Sequence, residues 1–119
     1  MNERTINLMK QLLLKTSQGK ITWSRGFEDG QFKTILPGGK LAFVVQEKHA
    51  VLRFSMYDEK QEMLLDEQHA MVEATEQQQQ ETSSSLWVGC CKLLYDAARQ
   101  NALQIDDRLQ EAEKLLSAI

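Results

Sequence analysis

Proline occurs once in this chain, histidine twice, and cysteine only as the adjacent pair Cys90-Cys91. Each scarcity excludes something. Consecutive Cα atoms lie about 3.8 Å apart, too close for an ordinary disulfide, so the cysteines supply no covalent framework and fit a reducing compartment. Read as residues of a helix, they are small hydrophobes. A structural zinc site takes about four ligands in paired spacings, and Cys90-Cys91 lacks the intervening residues that let two side chains converge on one ion. His49 and His69 stand apart in sequence from each other and from the thiols. No metal or cofactor is therefore expected. No apolar run approaches the roughly 18 residues that span a bilayer, so no membrane partner is expected either. Lys10, Gln11 and Lys15 interrupt the only N-terminal apolar run, and no small-residue cleavage site follows it. The expected location is cytoplasmic.

Charge of one sign is also missing as a block. Residues 1–57 carry nine Lys/Arg against four Asp/Glu, a net +5; residues 58–119 carry five against thirteen, a net −8. The basic half has no dense Lys/Arg cluster of the kind that tracks a phosphate backbone, so nucleic acid is not an expected partner. Acid pairs such as Asp58-Glu59 and Asp106-Asp107 read as turn and cap residues, because general acid–base chemistry needs a cleft and a perturbed pKa. The glycines of Leu36-Pro37-Gly38-Gly39-Lys40 lie between two strand-like runs. A phosphate cradle needs them between a strand and a helix, so that reading fails. No catalytic residue is assigned, and the sequence leans away from an enzyme without deciding the question.

What the sequence does contain is alternation. Phe32, Thr34 and Leu36 alternate, as do Leu41, Phe43 and Val45, then Ala50, Leu52, Phe54 and Met56. Three period-two runs separated by turn residues predict an antiparallel meander with one buried face. Strands are expected at 31–36, 40–46 and 50–57, with a short last one at Met63 to Leu65. Val44 and Val51 fall on the opposite face, which is either partly covered or offers a contact surface.

The ends of the chain carry helical spacing. Ile6, Met9, Leu13 and Thr16 predict a helix over 3–16, with Gly19 as its stop. Trp23 reads as the large aromatic that seals this helix on the sheet, and Phe27 as a lid or an exposed anchor. Residues 66–85, with glutamines at 77–80 and serines at 83–85, form a polar connection that is either helical or mobile. Beyond it Leu86, Cys90, Leu94 and Ala97 continue as a helical stripe, followed by Ile105, Leu109, Ala112, Leu116 and Ile119. A bend near Asn101 to Gln104 is expected, folding two helices over the sheet. A single long helix would instead carry its stripe beyond so small a sheet and imply self-association. The predicted class is α+β: an N-terminal helix, a meander of 3–5 strands and one or two C-terminal helices on one sheet face, as one domain over 1–119.

Leu12-Leu13-Leu14-Lys15-Thr16-Ser17-Gln18-Gly19-Lys20-Ile21-Thr22-Trp23 contains a Thr-x-x-Gly-Lys-x-x-Trp run. Phe32-Lys33-Thr34, the 50–57 strand with its Asp58-Glu59-Lys60 turn, and Leu93-Leu94-Tyr95-Asp96-Ala97-Ala98-Arg99 follow it. This order resembles an uncharacterised family of small prokaryotic α+β proteins, outside the insert at 66–85. The resemblance implies the element order and a prokaryotic setting, with no activity, substrate or cofactor attached.

Two classes of function follow. The first is a non-catalytic protein-interaction or adaptor domain whose partner is another protein or a second copy, as a homodimer. It rests on the surplus apolar residues of the second sheet face, the long C-terminal stripe, and Trp87 and Tyr95 on that helix. The alternative is a small-molecule binder or simple enzyme with a pocket between sheet and helices, for which Trp23, Arg25, Arg53, Tyr57 and His49 are the residues to watch.

Overall fold

A computed structural model describes residues 3–71 and 83–119. The elements are α1 (Glu3–Ser17), β1 (Ser24–Arg25), β2 (Gln31–Ile35), β3 (Leu41–Lys48), β4 (Val51–Asp58), β5 (Met63–Ala70) and α2 (Ser83–Ser117). The strands form one antiparallel sheet in the order β1-β2-β3-β4-β5. The α+β class, the meander and the helical cover on one face follow the alternation and the terminal stripes.

The register explains the alternation. Phe32 pairs with Val45, Val45 with Phe54, and Thr34 with Phe43, so these side chains rise on one face. All five are buried there beneath the helices, with Leu52. Met9 and Leu12 of α1 and Trp87, Cys91, Leu94, Ala98 and Ala102 of α2 supply the cover. Glu3 stands in the first turn of α1, where the N-terminal dipole favours an acid. The helix ends at Gly19, whose φ of 74° suits a residue without a Cβ.

Turn chemistry fixes the hairpins. Pro37 and Gly38, with φ 96° at Gly38, make the β2–β3 turn, closed by the Gly39 N–H donating to the Leu36 carbonyl at 3.0 Å. The β3–β4 loop is the pair His49-Ala50, both at positive φ (52° and 60°), between the partners Lys48 and Val51. Ala50 therefore belongs to the turn and β4 starts at Val51, one residue later than the alternation predicts. At the β4–β5 turn the Asp58 carboxylate accepts the Lys60 and Glu62 N–H groups, each at 2.9 Å.

Two expectations need correction. The last strand does not stop at Leu65: β5 continues through Asp66, Glu67, Gln68 and His69 to Ala70. Its second half lies in the stretch read as a polar connection, because an edge strand paired on one side needs little apolar content. Residues 72–82, the rest of that stretch up to the helix, lie outside the described residues. The expected bend near Asn101 to Gln104 is also absent. α2 runs unbroken for 35 residues, as a stretch lacking glycine after Gly89 and lacking proline permits.

Candidate functional site

The continuity of α2 creates the main surface feature. Its first half lies over the sheet and beside α1, and its apolar stripe is buried from Trp87 to Ala102. At Asn101 the helix reaches the β1 end of the sheet, where the Asn101 side-chain carbonyl accepts the Trp23 N–H at 2.7 Å. Residues 107–119 are exposed throughout. Leu109, Leu115, Leu116 and Ile119 stand at 57%, 63%, 71% and 100% exposure. Leu109, Ala112, Leu116 and Ile119 repeat at three and four, so they form one stripe, with Leu115 at its margin. Asp107, Arg108, Gln110, Glu111, Glu113 and Lys114 occupy the rest of the circumference. Arg108 and Glu111 lie 3.5 Å apart, both largely in water, where such a pair adds little stability.

Two clefts flank the loop between β1 and β2. One, of about 720 Å³, lies between that loop and α2 and is lined by Arg25, Glu28, Glu47, Lys92, Tyr95 and Arg99. Lys92 reaches Glu47 at 3.1 Å and Asp96 at 3.4 Å, and the hydrogen bond to Glu47 raises its pKa. Burial raises the Tyr95 phenol as well. The second cleft, of about 660 Å³, lies on the open sheet face, lined by Arg25, Phe27, Lys33, Ile35, Val44 and Tyr57 among others. Phe27 stands fully in solvent, the exposed anchor rather than the lid, and Val44 is buried on this face as its parity requires.

The residues singled out in the sequence fall into three places. Trp23 and Trp87 are fully buried, so neither faces a ligand or partner. The Trp23 indole N–H donates to the Thr16 hydroxyl at 2.9 Å, and the Trp87 ring meets His69 with centroids 4.6 Å apart. Arg25 lines both clefts, Tyr95 the first and Tyr57 the second. Tyr95 is itself nearly buried, with its ring edge-on to Phe32 at 5.5 Å. Arg53 is on the open face, tied to Asp66 by two bonds of 2.6 and 2.9 Å. His49 sits in the β3–β4 turn and lines neither cleft. The chain does not gather these residues into one site.

Cys91 is buried, and desolvation pushes its thiol up to about 12, with neighbouring Cys90 adding to the shift. A thiol held in that state is a poor nucleophile and a poor ligand. Among the described residues no group of three or more His, Cys, Asp and Glu side chains is placed to hold a metal ion. No described helix is long and apolar enough to cross a membrane. Sequence reasoning identified the 109–119 stripe but missed Asn101, since nothing in local spacing marks a contact to Trp23 across 78 residues. No family model, curated protein or solved structure matches this chain.

Proposed function

We propose that this chain is a non-catalytic protein-interaction module that grips its partner with the exposed C-terminal part of α2. The observation that carries this is the pair Leu109 and Leu116, 57% and 71% exposed on a helix whose earlier stripe is buried to within 2% at Leu94, Ala98 and Ala102. Apolar side chains spaced on one face of a protruding helix are anchors for a facing surface. The helix is already held in shape by its packed first half, so docking costs little ordering of the segment. The two free thiols and the N-terminal Thr16-to-Trp23 run support a prokaryotic cytoplasmic setting for this activity.

The test is a photo-crosslinking amino acid in place of Leu115, in cells that make the chain. Adducts with defined proteins are expected, and they are expected to disappear when Leu109 and Leu116 are both changed to aspartate. An absence of any protein adduct at this position would overturn the proposal.

A further inference from the structure

The cleft of about 720 Å³ between the β1–β2 loop and α2 is within the size range of small-molecule sites. Most of the charges that line it satisfy one another. Lys92 holds both Glu47 and Asp96, at 3.1 and 3.4 Å. The Glu28 carboxylate accepts the Gln46 side-chain N–H at 2.7 Å, and Arg25 has a partner as well. Two charged side chains are left. Asp29 on the loop and Arg99 on α2 line the cleft from opposite walls, and neither makes an ion pair or hydrogen bond among the described residues. Both are exposed.

Between them stands a polar group that is nearly buried. Tyr95 is only 7% exposed, yet its hydroxyl bonds to no described residue and opens on the cleft. An unpaired hydroxyl in such a place costs free energy unless a group in the cleft takes up the bond. Burial raises the phenol pKa, so the hydroxyl keeps its proton and serves as a donor. Arg99, four residues further along the same helix, is near enough for its charge to act on the phenol. Gly30 keeps the approach clear. A Cβ placed there would stand 3.6 Å from the hydroxyl and 2.5 Å from the Glu47 carbonyl oxygen. Phe27 and Leu103 add apolar surface to the lining.

We infer that this cleft binds a free α-amino acid with an apolar side chain, its carboxylate on Arg99 and the Tyr95 hydroxyl and its ammonium on Asp29. The unpartnered groups are a cation with a neutral donor beside it and an anion across the gap. Together they are the complement of a zwitterion. A carboxylate suits the planar guanidinium and accepts the phenol O–H. A simple anion would meet Asp29 as a like charge, and a simple amine would leave Arg99 and Tyr95 unanswered. The ligand's side chain lies against Phe27, which otherwise stands fully in solvent. Because Asp29 and Arg99 are in contact with water, the affinity is on the order of millimolar. The site is separate from the exposed C-terminal part of α2 and does not depend on it.

Amide NMR spectra of the isotopically labelled full chain, titrated with L-phenylalanine, measure this. Saturable shifts are expected, centred on residues 25–32 and 92–103, which line the cleft. N-acetyl-L-phenylalanine, which lacks the ammonium, and phenethylamine, which lacks the carboxylate, should each bind at least roughly tenfold more weakly. Arg99→Gln should erase the advantage of L-phenylalanine over phenethylamine, and Asp29→Asn its advantage over the acetylated form. Both side chains are exposed, so the spectra of these variants should match the parent away from the cleft. Tyr95→Phe keeps the ring against Phe32 and should weaken L-phenylalanine several-fold while leaving phenethylamine unchanged. No saturable shift up to the solubility limit of L-phenylalanine, equal binding of either truncated analogue, or an unaltered preference in the Arg99 and Asp29 variants would each overturn the inference.

Discussion

The Trp23 backbone N–H donates to the Asn101 side-chain carbonyl at 2.7 Å, tying the segment that enters β1 to the turn of α2 that leaves the sheet. Trp23 is also bound through its indole to Thr16 at the end of α1, and the Thr16 hydroxyl in turn donates to the Leu12 carbonyl at 2.7 Å. Both helices are thereby anchored to one buried residue. Replacing Asn101 with alanine leaves the Trp23 N–H without its acceptor, at a cost of about 1–3 kcal/mol. Asn101→Asp keeps an acceptor and should cost less. Urea denaturation of the two variants against the parent provides the comparison.

Arg53 of β4 reaches Asp66 of β5 diagonally across the open sheet face, and Ser55, directly opposite Asp66, donates a further bond of 3.2 Å to the same carboxylate. The Arg53 hydrogen bond is the main cause that holds Asp66 below the ordinary carboxylate range. A lowered folded-state pKa gives stability that is complete above the unfolded value and is lost as pH falls through the folded one. The stability gap between the parent and Asp66→Asn should be widest near neutrality and close below about pH 4. Both side chains are about a third exposed, so solvent screening limits the gap to about 1 kcal/mol. Denaturation midpoints of both proteins over a pH series provide the measurement; a gap that persists at low pH would contradict the assignment.

The two cysteines should differ sharply despite being neighbours. Cys91 is buried and its thiol is pushed up to about 12, whereas Cys90 is half-buried. At pH 8 the thiolate population of Cys91 is on the order of a thousandfold below that of a free cysteine. Iodoacetamide followed by peptide mass analysis should locate adducts at Cys90 and spare Cys91, with protection lost in denaturant.

The His49-Ala50 turn holds two ordinary residues at positive φ. Left-handed backbone costs a residue with a Cβ roughly 1–2 kcal/mol, while glycine and asparagine accept it. A two-residue turn of this hand favours Asn-Gly. His49→Asn with Ala50→Gly should raise stability by about 1 kcal/mol, after allowing for the greater freedom glycine restores to the unfolded chain. Thermal melting checks it, and a fall in stability would mean that the existing side chains make contacts of greater worth.

The parts of the fold that were legible in the sequence are those where one face is dry. Phe43, Val45, Leu52 and Phe54 alternate because their neighbours are turned away from the core, and Met9, Leu12 and Thr16 repeat because only one side of α1 is covered. Asp66 to Ala70 were not legible as strand, since at the sheet edge polar residues occupy both faces and the period of two carries no hydrophobic signal. Trp23, Trp87 and Tyr95 attracted attention as aromatic anchors, yet an aromatic on a core-facing position reads the same in sequence whether it meets a ligand or its own sheet. The free stripe of α2 was visible as spacing. Its exposure was not, because the sheet's width in the helix direction is a property of the assembled chain.

Leu109, Leu116 and Ile119 lie outside the packed body, so under the proposed function the requirements for folding and for grasping a partner would fall on different residues. Substitutions along this exposed segment would then retune which surface it recognises, and how tightly, while the scaffold behind it keeps its melting temperature. A chain arranged in this way can change its associations without first surviving a loss of structure.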